Sequence, residues 1–428
     1  MTWVERDAAV VWHGFTQMST YAENLPVIVE SGEGRELIDM LGNRYLDAIS
    51  SLWVMTLGHR VPELDEALKA QIDRIAHSTM LGNGNRVVIE LSEALAAVVP
   101  VDDPHFLYAG DGATAVEQAL KIAFQYWANV GEPRTGFVAL GGAYHGDTIG
   151  ALSIGDSGFG TSIFDPLRFP VHRAKTVEDA IDTVLQRGDE IAAVAIEPLV
   201  QAANQMAMLD PDALRDLGAA CAETGALLLC DEVATGFGRT GTLFASEQCG
   251  LRPDLLVLGK GMTGGYLPLS ATVASDRVFR AFLGPDLSDK TLYHGHSYGG
   301  NALACAVALR HLQLFDEWSV LDNVRAREAQ LRALLDELIA PLPFVGEIRL
   351  RGLMGGVDLI APEPDLRWGR RVCAASVKRG VLLRPIGDTV ILMCPLTLTA
   401  EEASRIVTVL RESIDEVCML APPMKGGA

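Results

Sequence analysis

The sequence is short of several things, and each shortage argues against a class of function. Its seven cysteines, at 221, 230, 249, 305, 373, 394 and 418, form no Cys-x-x-Cys pair. That argues against a thiolate zinc site and against a disulfide framework. An odd number, several of them in apolar runs, reads as buried free thiols in a reducing compartment. No apolar run reaches about 18 residues, so no spanning helix is expected. The first stretch, MTWVERDAAVVWHGF, carries acids and lacks a long apolar centre, so it does not read as a signal peptide. Positive charge is scarce: 35 Lys and Arg face 55 Asp and Glu, for a net charge of −20. Such a chain is a poor partner for nucleic acid or an anionic membrane surface. The expected address is the cytosol. There is no internal repeat, no low-complexity tract and no obvious linker.

What is present is a globular composition, 49% hydrophobic and 21% charged over 428 residues. That length holds a large domain and a smaller one. Apolar positions 61, 64, 68, 72 and 75 have helical spacing, and Val87–Val99 repeats it up to Pro100. Leu-Gly-Asn-Arg, within Glu36–Tyr45, reads as a turn between two short strands. From Phe106 the texture alternates. Apolar runs at 106–109, 136–140, 191–196, 226–230, 255–258 and 269–273 read as strands, and 113–129 and 211–223 as helices between them. Alternation of this kind predicts an α/β fold with a large, mostly parallel sheet covered on both faces. After about residue 315 a helix with apolar positions 320, 324, 331, 334, 335 and 338 leads into short strands and a final helix, 400–417. This predicts a smaller α+β domain. The expected division is residues 1–55 as an N-terminal segment joining the small domain, 56–315 as the large domain and 316–428 as the small one. Residues 1–30 are expected to wrap a surface, and 422–428 to be a frayed tail.

The chemistry gathers around Gly225–Gly261. One apolar run ends in Asp231-Glu232, and a second delivers Lys260 between Gly259 and Gly261. Strand ends of an open α/β sheet are where ligands sit. An amine and a carboxylate there suit a cofactor with an aldehyde and a protonated ring nitrogen, as pyridoxal phosphate has. A strand end and a solvated lysine are the plain alternative. Gly110-Asp-Gly-Ala-Thr114 opens a periodic helix, either as an anion site of backbone amides or as an ordinary cap by Asp111. Tyr144, in Gly142-Ala-Tyr-His-Gly-Asp147, either stacks on a flat ring or packs in a polar turn. Gly236–Gly241 matches G-x-G-x-x-G, but Asp231 precedes the glycines instead of following them by about 20 residues, so the dinucleotide reading is rejected. His294 and His296 lack further ligands at metal spacing, and no metal is expected. Ser297 could donate to a phosphate. Arg384 is either a carboxylate clamp or a surface arginine.

Together these stretches resemble the class III (subgroup II) aminotransferases, pyridoxal-phosphate enzymes of fold type I. The resemblance rests on DEVATGFGRTG, on the lysine after PDLLVLGKG and on TGGYLPLSAT, and it covers nearly the whole chain. WHGFTQM, SSLWVMTLGH, AHSTMLG, QYWANVGEPR, YHGDTIGALS and HGHSYGGN resemble the biotin-pathway branch of that class, which makes 7,8-diaminononanoate from 8-amino-7-oxononanoate. The resemblance implies that Lys260 bonds the aldehyde of pyridoxal 5′-phosphate and that Asp231 pairs with its ring nitrogen. It implies that Tyr144 stacks on the ring, with Gly112 and Ala113 on the phosphate and Ser297 arriving from a partner subunit. Glu197 would support Asp231 or Arg239. Phe15, Trp53, Gly295 and Arg384 would shape the substrate pocket, Arg384 holding the substrate carboxylate. A homodimer with shared sites, a small amino donor and a keto acid acceptor follow. Three departures stand out. Asp111 places a carboxylate beside the phosphate loop, Ala202 stands where glycine is usual, and Gly14-Phe15 replaces a proline-tyrosine pair. The missing tyrosine hydroxyl leans the donor toward lysine and away from S-adenosylmethionine.

Overall fold

The centre of the molecule is a seven-stranded sheet whose parallel strands all end on one edge. The computed structural model describes residues 1–156, 160–363 and 366–419; the expected tail 422–428 lies outside them. In chain order the strands are β1 (His105–Ala109), β2 (Gly136–Leu140), β3 (His172–Ala174), β4 (Ile191–Ile196), β5 (Leu227–Asp231), β6 (Leu255–Leu258) and β7 (Ser270–Ala274). Across the sheet they run β1-β7-β6-β5-β4-β2-β3. Only β7 runs against its neighbours, pairing antiparallel with both β6 and β1. The other pairs are parallel.

The apolar runs are continuous because both faces of this sheet are buried. Side chains of a strand alternate faces, and the core divides accordingly. Leu227, Leu229, Leu255 and Val257 pack in one cluster with helix α1 (Gly112–Asn129), through Ala115, Val116, Ala119 and Ile122. Leu228, Cys230, Leu256 and Leu258 pack in the other. Its helical cover includes Leu214 and Leu217 from Pro211–Thr224. Each strand is thus gripped from both sides, and the residues just past its carboxyl end are fixed where they meet the crevice.

The two ends of the chain meet in a second sheet. Glu36–Asp39 and Arg44–Asp47 form an antiparallel pair, and Arg44–Asp47 also pairs in parallel with Val381–Leu382. A third sheet joins Val345–Arg351, Met354–Leu359, Thr389–Met393 and Arg384–Ile386. The helices Val320–Leu338 and Ala400–Met419 lie close to the expected spans. Among the elements that the periodicity left unmarked are a helix at Trp3–Val10, others at Ile149–Ile154, Val177–Arg187 and Trp368–Lys378, and the short edge strand β3. The first is closed by a capping box between Thr2 and Glu5 but buries no residue, so it carries no apolar stripe to read. Among the described residues no helix is long and apolar enough to cross a membrane.

Candidate active site

Four strand ends build one cavity of about 490 Å³. Lys260 comes from the end of β6, Asp231 from β5, Glu197 from β4 and Tyr144 from the loop after β2; all four line it, with Gly112, Ala113 and Trp53. Lys260 takes φ 37°, which bends the chain out of the strand and into a short 3-10 turn. Burial pushes its ammonium below the ordinary lysine value, against the pull of Asp231 and Glu197. A lysine of this kind is more readily a neutral nucleophile than a surface lysine is. Asp231 is buried. Its Oδ2 accepts a hydrogen bond from His145 Nδ1–H at 2.7 Å, and its Oδ1 accepts one from Val233 N–H at 3.0 Å. For His145, burial favours the neutral ring, but the bond to Asp231 and the nearby carboxylates outweigh it and raise the pKa. Glu197 is buried as well. Desolvation lifts its carboxyl to about 7.

Glu197 was expected to support Asp231 or Arg239. Its hydrogen bonds go elsewhere. Oε1 accepts Tyr144 N–H at 3.0 Å and Oε2 accepts Ala202 N–H at 3.3 Å, so it fixes the loop that carries Tyr144. The Ala202 departure therefore leaves this backbone contact in place, because the amide and not the side chain makes it. Arg239 donates to backbone carbonyls, Cys394 O at 2.6 Å and Met55 O at 2.8 Å. The Tyr144 hydroxyl donates to Asp147 Oδ2 at 2.9 Å.

The start of α1 faces the same cavity. Asp111 caps it: its carboxylate accepts Thr114 N–H at 2.9 Å and Thr114 Oγ1–H at 2.8 Å. The misplaced-looking acid is thereby turned onto its own helix, as an N-cap should be. Ser270 Oγ donates to Asp111 O at 2.6 Å and ties the cap to the sheet. Glycine at 112 keeps this approach open, since a Cβ there would lie 2.7 Å from Val233 Cγ1 and one of the two would have to move. The first amides of a helix have no intrahelical acceptor, so Gly112 and Ala113 sit at a ready anion site.

Beyond Lys260 the crevice opens into an outer cavity of about 1040 Å³. Trp53, Tyr144 and Lys260 line both cavities, while Phe15, Leu52, Leu383 and Arg384 line only the outer one. Arg384 and Phe15 are exposed, Phe15 by 62%. Lys260 Nζ lies 5.4 Å from the centroid of the Trp53 ring. Trp53 ends a left-handed turn: Ser50, Ser51, Leu52 and Trp53 have φ of 52°, 47°, 65° and 74°. Each such L-residue costs roughly 1–2 kcal/mol, so the surroundings must hold the turn. Ser297 and Gly295 line neither cavity. They stand on an exposed loop, where Ser297 O accepts from His77 Nε2–H at 2.7 Å.

A profile of the aminotransferase class III family matches residues 17–414. The chain belongs to the class III aminotransferases. This aminotransferase is 44% identical to the adenosylmethionine-8-amino-7-oxononanoate aminotransferase of Nitratidesulfovibrio vulgaris, over 95% of its own chain and 80% of the relative's. It is 39% identical to the enzyme of the same name from Aquifex aeolicus, over 96% of each chain. The solved structure of the Methanocaldococcus jannaschii protein of that name superimposes with a TM-score of 0.93 at 39% identity, covering 96% of this chain and 98% of the other. An amine transaminase from an uncultivated Pseudomonas species, solved in its PLP-bound internal aldimine form, superimposes with a TM-score of 0.90 at 32% identity, over 95% and 99%. The aminotransferase thus has fold type I, and its cofactor is pyridoxal 5′-phosphate.

The residues present fit that cofactor. A desolvated lysine, a buried carboxylate already oriented by two donors, a helix start cleared by a glycine and an aromatic half-buried in the wall converge on one cavity of suitable size. His145 was read as part of a polar turn, and the structure makes it the partner of Asp231. Nothing local marks it, because the two residues are 86 positions apart.

Proposed function

We propose that this aminotransferase moves an amino group from S-adenosylmethionine to 8-amino-7-oxononanoate, giving 7,8-diaminononanoate in biotin biosynthesis. The observation that carries the reading is the outer cavity. It joins Lys260 to a rim arginine, Arg384, past apolar walls. That layout suits a keto acid whose carboxylate is several carbons from the reacting carbonyl, and the printed names of the relatives point to the same acceptor. The lean toward lysine as donor rested on the tyrosine hydroxyl missing at Phe15 and on the likeness of the runs Phe15–Met18, Tyr21–Asn24 and Gly259–Leu269 to a lysine-using branch; the relatives' names give S-adenosylmethionine instead. Phe15 is largely exposed in this chain, where water satisfies a polar group left unpaired, so the donor in the relatives' names is preferred.

When bound, pyridoxal 5′-phosphate supplies the electron sink that makes the substrate Cα–H acidic. In our reading Lys260 would bond the cofactor aldehyde and, once released, its Nζ would carry the proton from that carbon to the former aldehyde carbon in the donor half-reaction, and back again in the acceptor half-reaction. Its lowered pKa keeps a neutral amine within reach. Asp231 would hold the proton of the ring nitrogen, with His145 orienting the carboxylate. Tyr144 would pack against the ring. Gly112 and Ala113 would hold the phosphate by their amides. Trp53 and Phe15 shape the substrate pocket, Gly295 would reach it only from a second copy of the chain, and Arg384 holds the acceptor carboxylate. Ser297 completes the phosphate site from a second copy of the chain. The homodimer, the cytosolic setting and the division at residues 55 and 315 belong to the same proposal. The pairing of Arg44–Asp47 with Val381–Leu382 supports that division. The described cysteines are unpaired, which suits a reducing compartment.

The test is a donor-by-acceptor panel on purified protein. Product from S-adenosylmethionine and 8-amino-7-oxononanoate is expected. Activity with simple ω-amines alone would move the protein to another class III transaminase function.

A further inference from the structure

The left-handed turn Ser50–Trp53 contains no glycine, so its conformation has to be imposed by its neighbours. Asp47, fully buried, grips it from one side: Oδ1 accepts Ser51 N–H at 3.0 Å and Oδ2 accepts Ser51 Oγ–H at 2.7 Å. His59 Nε2 lies 3.0 Å from the same Oδ2 and fixes the carboxylate. Arg239 grips the far end, donating to Trp53 O at 3.3 Å and Met55 O at 2.8 Å. Ser50 Oγ donates to Met393 O at 2.6 Å and anchors the start. Inside the turn, Trp53 N–H donates to Ile49 O, and the Val54 and Met55 amides both donate to Ser50 O, each at 3.0 Å. The side chain delivered by this arrangement is Trp53, which lines both the inner and the outer cavity. Ser51, the residue Asp47 holds, is exposed and lines neither.

We propose that Asp47 is a positioning residue for substrate binding: by holding Ser50–Trp53 in the left-handed turn, it fixes the Trp53 ring as the wall between the two cavities. The inference rests on reading those cavities as the substrate site. Asp47 itself touches neither cavity and acts only through the turn.

Glycine adopts positive φ without penalty, which gives a test by conformational rescue. Asp47→Asn keeps the shape but replaces one of the two acceptor oxygens with a donor. It should raise the acceptor KM about tenfold with little change in kcat, as expected for a wall that no longer holds the bound substrate. Hydrogen exchange of the Trp53, Val54 and Met55 amides in the purified enzyme should quicken by about tenfold or more. Ser51→Gly alone should change neither reading by more than about twofold, and Asp47→Asn/Ser51→Gly should recover most of both losses. Ser51→Val approaches the turn from the other side. A β-branched residue resists positive φ, so it should reproduce the Asp47→Asn phenotype with the buried acid intact, and it serves if Asp47→Asn does not fold. Unchanged exchange and KM in Asp47→Asn and Ser51→Val would overturn the proposal. So would a KM loss that glycine does not rescue, since Asp47 would then act by another route. The exchange reading needs no substrate, so it decides the hold on the turn even if 8-amino-7-oxononanoate is not the acceptor; KM is then read on whichever acceptor is active.

Discussion

Replacing Asp231 by asparagine removes one charge from the buried centre of the site at nearly constant shape. The carboxylate accepts two hydrogen bonds, from His145 Nδ1–H at 2.7 Å and from Val233 N–H at 3.0 Å. An amide has one acceptor oxygen, so one of these donors would face an NH₂ group. His145 can relieve that by moving its proton to Nε2, which has no partner among the described residues. The structural loss is therefore the difference between a charge-assisted and a neutral hydrogen bond, about 1–2 kcal/mol, and a fall of a few degrees in melting temperature. The chemical loss is larger. An amide cannot hold a protonated ring nitrogen, and removing one preorganised electrostatic partner costs about 10²–10³ in rate. The assay is rapid mixing of cofactor-loaded protein with amino donor, following the cofactor absorbance, with melting and cofactor content measured alongside. A variant that stays folded and loaded but reacts 10²-fold or more slowly is expected. Reaction within about threefold of wild type, with full cofactor, would refute the assignment of Asp231.

Arg384→Ala should raise the acceptor KM by about tenfold or more, the size of one lost charged contact; acceptor kinetics at fixed donor check it, with Arg384→Lys as the control that keeps the charge, and an unchanged KM in Arg384→Ala removes Arg384 from the site. Gly112→Ala places a Cβ 2.7 Å from Val233 Cγ1, so the start of α1 or Val233, which lines the same cavity, must shift and cofactor affinity should fall at least about tenfold, read by titration of the cofactor-free protein. Burial lifts Glu232 from 4.5 to about 7, so the fold favours its neutral form. Its contribution is full below about pH 4.5 and is lost as pH rises through 7, by on the order of 3 kcal/mol at most. Glu232→Gln should flatten that loss between pH 5 and 8 in urea unfolding, whereas a wild-type-minus-variant difference that grows with pH would contradict the sign.

The parts of this molecule that rest on local pattern were legible in the sequence. Strands buried on both faces, such as Leu227–Asp231 and Leu255–Leu258, announce themselves as short apolar runs, and their positions are within a residue of the observed ones. α1 was visible from its spacing and its Asp111 cap. Lys260 and Asp231 were visible because glycines and an acidic pair interrupt those runs. Contacts between distant residues were not legible. His145 reaches Asp231 only through the order of β2 and β5 in the sheet, and Glu197 turns to the Tyr144 loop instead of Arg239 for the same reason. The left-handed turn before Trp53 was hidden for a different reason: serine, leucine and tryptophan do not signal positive φ, and the groups that impose it, Asp47 and Arg239, lie on separate elements. Ser297 carried a reading that involves a second chain, which no single-chain geometry supplies, and Gly295, expected in the substrate pocket, lines neither cavity of this chain.

The proposed chemistry depends on one lysine, Lys260. Reduction of the cofactor-loaded protein with borohydride fixes the cofactor to the amine it bonds, and peptide mass spectrometry then locates it. The added mass is expected on the peptide containing Lys260, and is expected to be lost in Lys260→Ala. The added mass on another lysine, or on none when pyridoxal 5′-phosphate is supplied in excess, would contradict the role given to Lys260.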